Sequence, residues 1–294
     1  MSQVAVIGPG ALGCLFTLRL MKAGTEVFLV DHRPERRALL QEQGISLETG
    51  DMLESARPRM TDTVPPGMDL VLVLTKARAI EELVLPPHSP VLTLQNGLGI
   101  VERLTALSGS RWLLAGITTE AATLLGPGRA RHSAPGITAF GPVDVCPADG
   151  ALDLLTRAGF ETVLLQNPEE QLWQKAVLSA AINPLTALLR VPNGKLLVGR
   201  ESRRFFHHLL EEALSVAQAS GFCKEFDALA EGEALCRRSE RNLSSMYQDI
   251  LHERETEIEV LSGAILEKGR ALSLPLPVTT MVYRLIRSLE ERWS

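Results

Sequence analysis

The sequence predicts an α/β fold in two parts, a doubly wound sheet domain followed by an all-helical C-terminal domain. Three observations lead there. The first half alternates short apolar β-rich runs with helical stretches, the pattern of a parallel sheet covered on both faces. Beyond Asn167-Pro168 almost every stretch has helical periodicity. The chain has 294 residues, more than the roughly 250 at which a single core stops growing. Two domains are therefore expected, 1–167 and 168–294, with Gln166-Asn167-Pro168 as the turn between them.

Element by element, Val4-Ala5-Val6-Ile7 is an apolar run closed by Gly8, a helical pattern follows from Ala11 to Ala23, and a second run spans Glu26 to Val30. Together they make a βαβ unit. The runs 69–75 and 91–95 repeat the theme, each followed by a helical segment. Between Gly116 and Phe140 the sequence turns rich in Gly, Pro and Thr, which reads as β extensions at one end of the sheet. The last strand is expected at 161–165. Helices are expected over 169–183, 200–220, 224–238, 243–252, 255–272 and 278–292, with Asn183-Pro184 ending or kinking the first.

Composition narrows the partners. A net charge of −5 with 4% aromatics gives neither the basic field nor the stacking platforms that nucleic acid or an anionic membrane surface requires. No run approaches about 18 consecutive apolar residues, so no membrane span is expected. The apolar N-terminus lacks a basic leader and is interrupted by Gly8-Pro9-Gly10, so it reads as structure rather than a signal peptide. Cys14, Cys146, Cys223 and Cys236 lie far apart without metal-site spacing. They are expected to be reduced, mostly buried thiols of a cytoplasmic protein, with no metal bound. A small molecule is the expected partner, and self-pairing of the helical half into a homodimer stays open.

Gly8-Pro9-Gly10-Ala11-Leu12-Gly13 fits G-x-G-x-x-G between a buried strand and a helix. Gly8 permits the tight turn, Gly10 lets the backbone approach a pyrophosphate, and Gly13 lets helix and strand pack closely. The free N–H groups of the first helical turn, from Ala11 and Leu12 onward, face the phosphates. This makes the sheet domain a Rossmann-type dinucleotide-binding domain. Asp31, closing the second run, stands where a carboxylate accepts the ribose hydroxyls of NAD(H). His32, Arg33, Arg36 and Arg37 follow at once, and Lys76 ends the next run, so a 2′-phosphate of NADP could equally be cradled. Both readings stay open, and this cluster predicts a locally basic cofactor site.

Ligands of open α/β sheets collect beyond the carboxyl ends of the strands, where Lys76 and Gln95-Asn96-Gly97 are expected. In the stretch 172–185, Lys175, Ser179 and Asn183 recur at i, i+4 and i+8 on an otherwise apolar helix. They form one polar stripe. A lysine beside so much apolar surface should have a lowered pKa, which suits proton donation near neutrality.

The segments VIGPGALG, TKA, QNGLG, LWQKAVLSAAINPLTALLRVPNG, NLSSMYQDI and TEIEVLSGAI, in that order over the whole chain, resemble the ketopantoate reductases (2-dehydropantoate 2-reductases). Members of that family reduce ketopantoate to pantoate with NADPH, in pantothenate and coenzyme A biosynthesis. The resemblance implies that Lys175 is the catalytic lysine and Glu257 the catalytic-site glutamate. It implies that Asn96, Ser179, Asn183, Asn193 and Ser245 hold substrate, with Asn96 also near the nicotinamide. Many relatives carry Asn where this chain has Ser179, and the family often places Arg where this chain has Asp31. A paralogous reductase of another 2-oxo acid, an NADH user and a non-catalytic nucleotide sensor are the alternatives.

Overall fold

The computed structural model describes residues 1–108 and 112–293. By contact the chain divides into two units, residues 1–95 with 100–169, and residues 96–99 with 170–294. The sequence put the division at 167/168 and kept 96–99 with the sheet. That four-residue excursion depends on long-range packing, which local periodicity does not carry.

The first unit runs, in chain order, β1 (Gln3–Ile7), α1 (Ala11–Lys22), β2 (Glu26–Val30), α2 (Pro34–Gln43), β3 (Ile45–Thr49), β4 (Met52–Ala56), β5 (Arg59–Thr61) and β6 (Leu70–Val73). A 3-10 turn (Ala77–Glu82), β7 (Val91–Thr93), α3 (Ile100–Ser108), β8 (Leu113–Thr118), β9 (Ala121–Gly126), β10 (Arg129–Ala134), β11 (Ile137–Pro142), α4 (Asp149–Arg157) and β12 (Glu161–Leu164) complete it. The main sheet has the order β12-β11-β8-β7-β6-β1-β2-β5, parallel at every pairing except β8 with β11. The chain crosses from β5 at one edge to β6 on the far side of β1, and this reversal opens a crevice at the strand ends. Residues Leu70–Val73 are all buried, which explains why the run lacks alternation.

Helix α1 is buried on nearly all sides, at Cys14, Leu15, Phe16, Thr17, Leu18 and Leu20, because it touches strands of two sheets. The second sheet, β4-β3-β10-β9, corrects the expectation for 116–140. Strands β9 and β10 do not extend the main sheet; β10 pairs with β3 and β9 instead. A buried group joins this sheet to α1: His132 Nε2 lies 2.6 Å from Glu120 Oε2, and Arg19 donates to Glu120 Oε1 at 3.3 Å. The helical segment expected after β6 is the short 3-10 helix Ala77–Glu82.

The second unit holds α5 (Pro168–Leu189), a 3-10 turn (Asn193–Leu197), α6 (Arg200–Ala219), α7 (Ala228–Arg238) and α8 (Ser245–Leu251). A π-helical turn (Glu259–Gly263), α9 (Ala264–Ala271) and α10 (Pro277–Glu290) follow. Pro184 does not end α5, which runs through it to Leu189. An interior proline costs about 3 kcal/mol. Here Ile182, Leu185 and Ala187 are buried around it, and burial of a Leu or Ile side chain contributes about 1.5–3 kcal/mol, so packing overrides the local penalty. The helix expected over 255–272 is also corrected, since regular winding begins at Glu259 and Glu257 lies on the bend before it. All four cysteines are unpaired and buried. Among the described residues no helix is long and apolar enough to cross a membrane.

Candidate active site

In the first unit, β1 delivers the chain into the glycine turn. Gly8 has φ +102°, and a Cβ there would stand 2.7 Å from Thr75 Cγ2. A Cβ on Gly13 would run into the Gly8 carbonyl oxygen. Gly10 differs: it is the N-cap of α1, and its Cβ would meet no protein atom within 4 Å. The space at Gly10 is open, and Ala11 and Leu12 present N–H groups that no turn of helix precedes. The turn therefore fits a dinucleotide pyrophosphate. Burial pushes the nearby Cys14 thiol up to about 12, so it takes no part in chemistry.

Beyond the ends of β1 and β2 a pocket opens, lined by Gly8, Asp31, Arg36, Asp62, Thr75 and Glu82 among others. Asp31 is 2% exposed. Its carboxylate accepts from Arg36 Nη2 at 2.8 Å, from Arg36 Nε, and from the Arg33 N–H at 3.2 Å. Burial opposes ionisation, but these hydrogen bonds and the guanidinium charge outweigh it and hold the carboxyl below its ordinary value. Arg37 Nη1 donates to the Asp31 carbonyl at 3.0 Å. Arg33 is the N-cap of α2, and Lys76 heads the 3-10 turn without lining the pocket. Arg36 and Arg37 of the expected basic cluster turn onto Asp31, and Asp62 and Glu82 add negative charge to the pocket lining. Asp62 and Glu82 escaped the sequence reading; the signal was the strand end at Thr61, in a run too short and polar to show a period.

In the second unit, Lys175, Ser179 and Asn183 lie partly exposed along α5, while Ala176, Val177, Ala180, Ala181 and Ile182 between them are buried. Burial lowers the Lys175 ammonium to about 8, and the negative charge of Glu257 works against that fall. The two are thus electrostatic neighbours. Glu257 is fixed from both sides in sequence: the Thr256 N–H donates to Glu290 Oε1 at 2.7 Å, and Ile258 is fully buried. Asn96 Nδ2 donates to Glu257 Oε2 at 3.3 Å.

The π turn supplies the anchor for Asn96. Gly263 N–H bonds the Ile258 carbonyl, and Ala264 N–H reaches Glu259 rather than Val260. The Val260 carbonyl accepts instead from the Leu98 N–H at 2.8 Å. Gly97, at φ +105°, lies so close that a Cβ would stand 2.6 Å from that carbonyl. Sequence reasoning missed Leu98 and Val260 because their bond runs through backbone atoms.

Two predicted substrate residues sit apart from this group in their hydrogen bonding. Asn193 is 9% exposed; its Nδ2 donates to Ser239 Oγ at 2.9 Å, and its Oδ1 is buried without a partner. Ser245 is the exposed first residue of α8, whereas Ser244 is the cap, accepting from the Tyr247 N–H at 3.1 Å.

A glycine turn of this build on a doubly wound sheet, followed by a helical unit carrying a lysine tuned toward neutrality, defines the class of nicotinamide-dependent oxidoreductases. Comparison with known proteins narrows the class. Residues 4–144 match the model described as ketopantoate reductase PanE/ApbA, and residues 167–290 match its C-terminal counterpart. The 2-dehydropantoate 2-reductase of Vibrio cholerae is 32% identical, with 99% of each chain covered, and that of Listeria innocua is 32% identical over 98% of this chain and 97% of the relative. Among solved structures, a PanE/ApbA family ketopantoate reductase from Ralstonia eutropha is 28% identical, with a TM-score of 0.90 and 99% of each chain covered. A probable 2-dehydropantoate 2-reductase from Bacillus subtilis is 25% identical, with a TM-score of 0.86 and 98% and 99% covered. The chain belongs to the ketopantoate reductase PanE/ApbA family.

Proposed function

We propose that this chain reduces the 2-oxo group of ketopantoate to the 2-hydroxy group of pantoate, using a reduced nicotinamide dinucleotide. The observation that carries the reading is the Lys175 ammonium, lowered to about 8 by burial beside the Glu257 carboxylate. The nicotinamide, when bound, supplies the hydride. Gly8, Gly10, Ala11, Leu12 and Gly13 would hold its pyrophosphate, with Asp31 at the adenosine ribose. NADPH is the donor that membership of the family implies, and the residues governing that choice are taken up below.

As the C2 carbonyl accepts hydride its oxygen becomes an alkoxide, and charge develops where the substrate had none. An ammonium within hydrogen-bond reach stabilises that oxygen and protonates it. At neutral pH Lys175 is protonated, yet it is a far better acid than an exposed lysine. Glu257 keeps it charged before reaction and accepts from the substrate hydroxyl. Asn96, Asn183 and Ser245 would supply donors for the carboxylate and hydroxyl, fixing the carbonyl in one orientation, and Asn193, whose Nδ2 donates to Ser239 Oγ, would offer its Oδ1 as an acceptor. At Ser179 a hydroxyl takes the place of an amide, which tunes which 2-oxo acids fit.

The test is nucleotide oxidation assayed with ketopantoate and with other branched 2-oxo acids, in the wild type and in Lys175→Ala. Turnover that is greatest with ketopantoate and lost in the variant is expected. Equal activity in the variant would remove the lysine from its role, and absence of turnover with any acid would leave a nucleotide sensor.

A further inference from the structure

The pocket at the ends of β1 and β2 carries more carboxylate than a doubly charged ligand tolerates. We propose that this chain selects the nucleotide with a free ribose 2′-hydroxyl, NADH, and excludes NADPH through Asp31, Asp62 and Glu82. The proposal rests on the reading of the glycine turn as a dinucleotide site and deepens it.

Asp31 is buried and held ionised, so it is an acceptor only. A carboxylate offers about four lone-pair sites. Three are taken, two by the Arg36 fork and one by the Arg33 N–H. What remains suits one O–H donor, as a ribose hydroxyl provides. A 2′-phosphate brings about two negative charges and only acceptor oxygens, which Asp31 repels.

Two of the cations that could offset this, Arg36 and Arg37, are committed to Asp31. Moving Arg36 onto a phosphate would strip the buried Asp31 of its partner, and an uncompensated buried charge is strongly unfavourable. Arg37 is bonded to the Asp31 carbonyl, and neither Arg33 nor Lys76 lines the pocket. The lining instead holds Asp31, Asp62 and Glu82 against Arg36 and His32, with His32 Nε2 3.7 Å from Glu82 Oε2. Negative charge exceeds positive where the 2′-position would lie.

The experiment is a binding titration that needs no substrate. NADH, NADPH, ADP-ribose and 2′-phospho-ADP-ribose are titrated against the protein by calorimetry. The unphosphorylated member of each pair is expected to bind at least about tenfold tighter, the equivalent of about 1.4 kcal/mol. Asp31→Asn should narrow the gap from both sides, weakening NADH and strengthening NADPH. Glu82→Gln, at an exposed position, should narrow it by strengthening NADPH and serves if Asp31→Asn does not fold. Equal or tighter binding of the phosphorylated ligands by the wild type would overturn the proposal. The expected gap without turnover of any 2-oxo acid would leave it standing and sink the proposed reaction. Turnover with NADPH preferred would do the reverse, and failure of all four ligands to bind would overturn both.

Discussion

Asn96 and Glu257, 161 positions apart in sequence, are joined by a 3.3 Å hydrogen bond from the Asn96 amide to the Glu257 carboxylate. That bond sets the orientation of the carboxylate whose charge Lys175 feels. The site's acid–base behaviour and its geometry therefore depend on the same pair.

The first prediction concerns pH. With the Lys175 pKa at about 8, the protonated acid is present below that pH and lost above it. The kcat/KM for reduction should hold to about pH 8 and fall beyond, while oxidation of pantoate, which needs the neutral amine, should rise through the same range. Lys175→Ala should lower the reduction rate by about 10²–10⁴-fold. A pH-rate profile in both directions checks this.

Glu257→Gln tests the coupling. The carboxylate raises the Lys175 pKa, so its removal should move the alkaline limb of the reduction profile to lower pH. A limb that stays in place would show that Glu257 acts only on substrate.

The glycine turn allows a paired test. Gly10→Ala places its Cβ in open space, so Tm should stay within a degree or two of wild type while nucleotide affinity falls. Gly13→Ala drives its Cβ into the Gly8 carbonyl and should cost about 1–3 kcal/mol of stability. Thermal melts with and without nucleotide separate the two.

At Gly97 a side chain meets both positive φ and the Val260 carbonyl. Gly97→Ala should cost about 1–3 kcal/mol in strain and draw Asn96 away from Glu257. A fall of about tenfold in kcat is expected, with unchanged far-UV circular dichroism.

Ser244 and Ser245 separate stability from binding. Ser244→Ala removes the α8 cap and should cost about 1 kcal/mol, read as a lower Tm. Ser245→Ala removes an exposed hydroxyl; it should leave Tm alone and raise KM for the 2-oxo acid.

The glycine turn was legible in the sequence because Gly8, Gly10 and Gly13 answer to local backbone geometry. The stripe of Lys175, Ser179 and Asn183 was legible because helical period alone puts them on one face. The second sheet was not, since β3 and β10 pair across about 80 residues of chain, and the alternation within each strand does not say which partner it pairs with. The carboxylates lining the pocket at the ends of β1 and β2 were not legible for a similar reason. Composition shows the arginines near Asp31 but not that two of them turn back onto it. Glu257 was identified by family resemblance, while its place on a bend ahead of the π turn depends on the Thr256–Glu290 bond.

The contact of Leu98 with Val260 bears on how the protein could be cut. A fragment beginning at residue 170 would contain every helix of the second unit except the two leading residues of α5, yet lack residues 96–99. Its Val260 carbonyl and Glu257 carboxylate would each lose a donor. Expressed alone, such a piece should have a disturbed π turn, and a synthetic peptide carrying Gln95-Asn96-Gly97-Leu98-Gly99 should protect its amides from exchange.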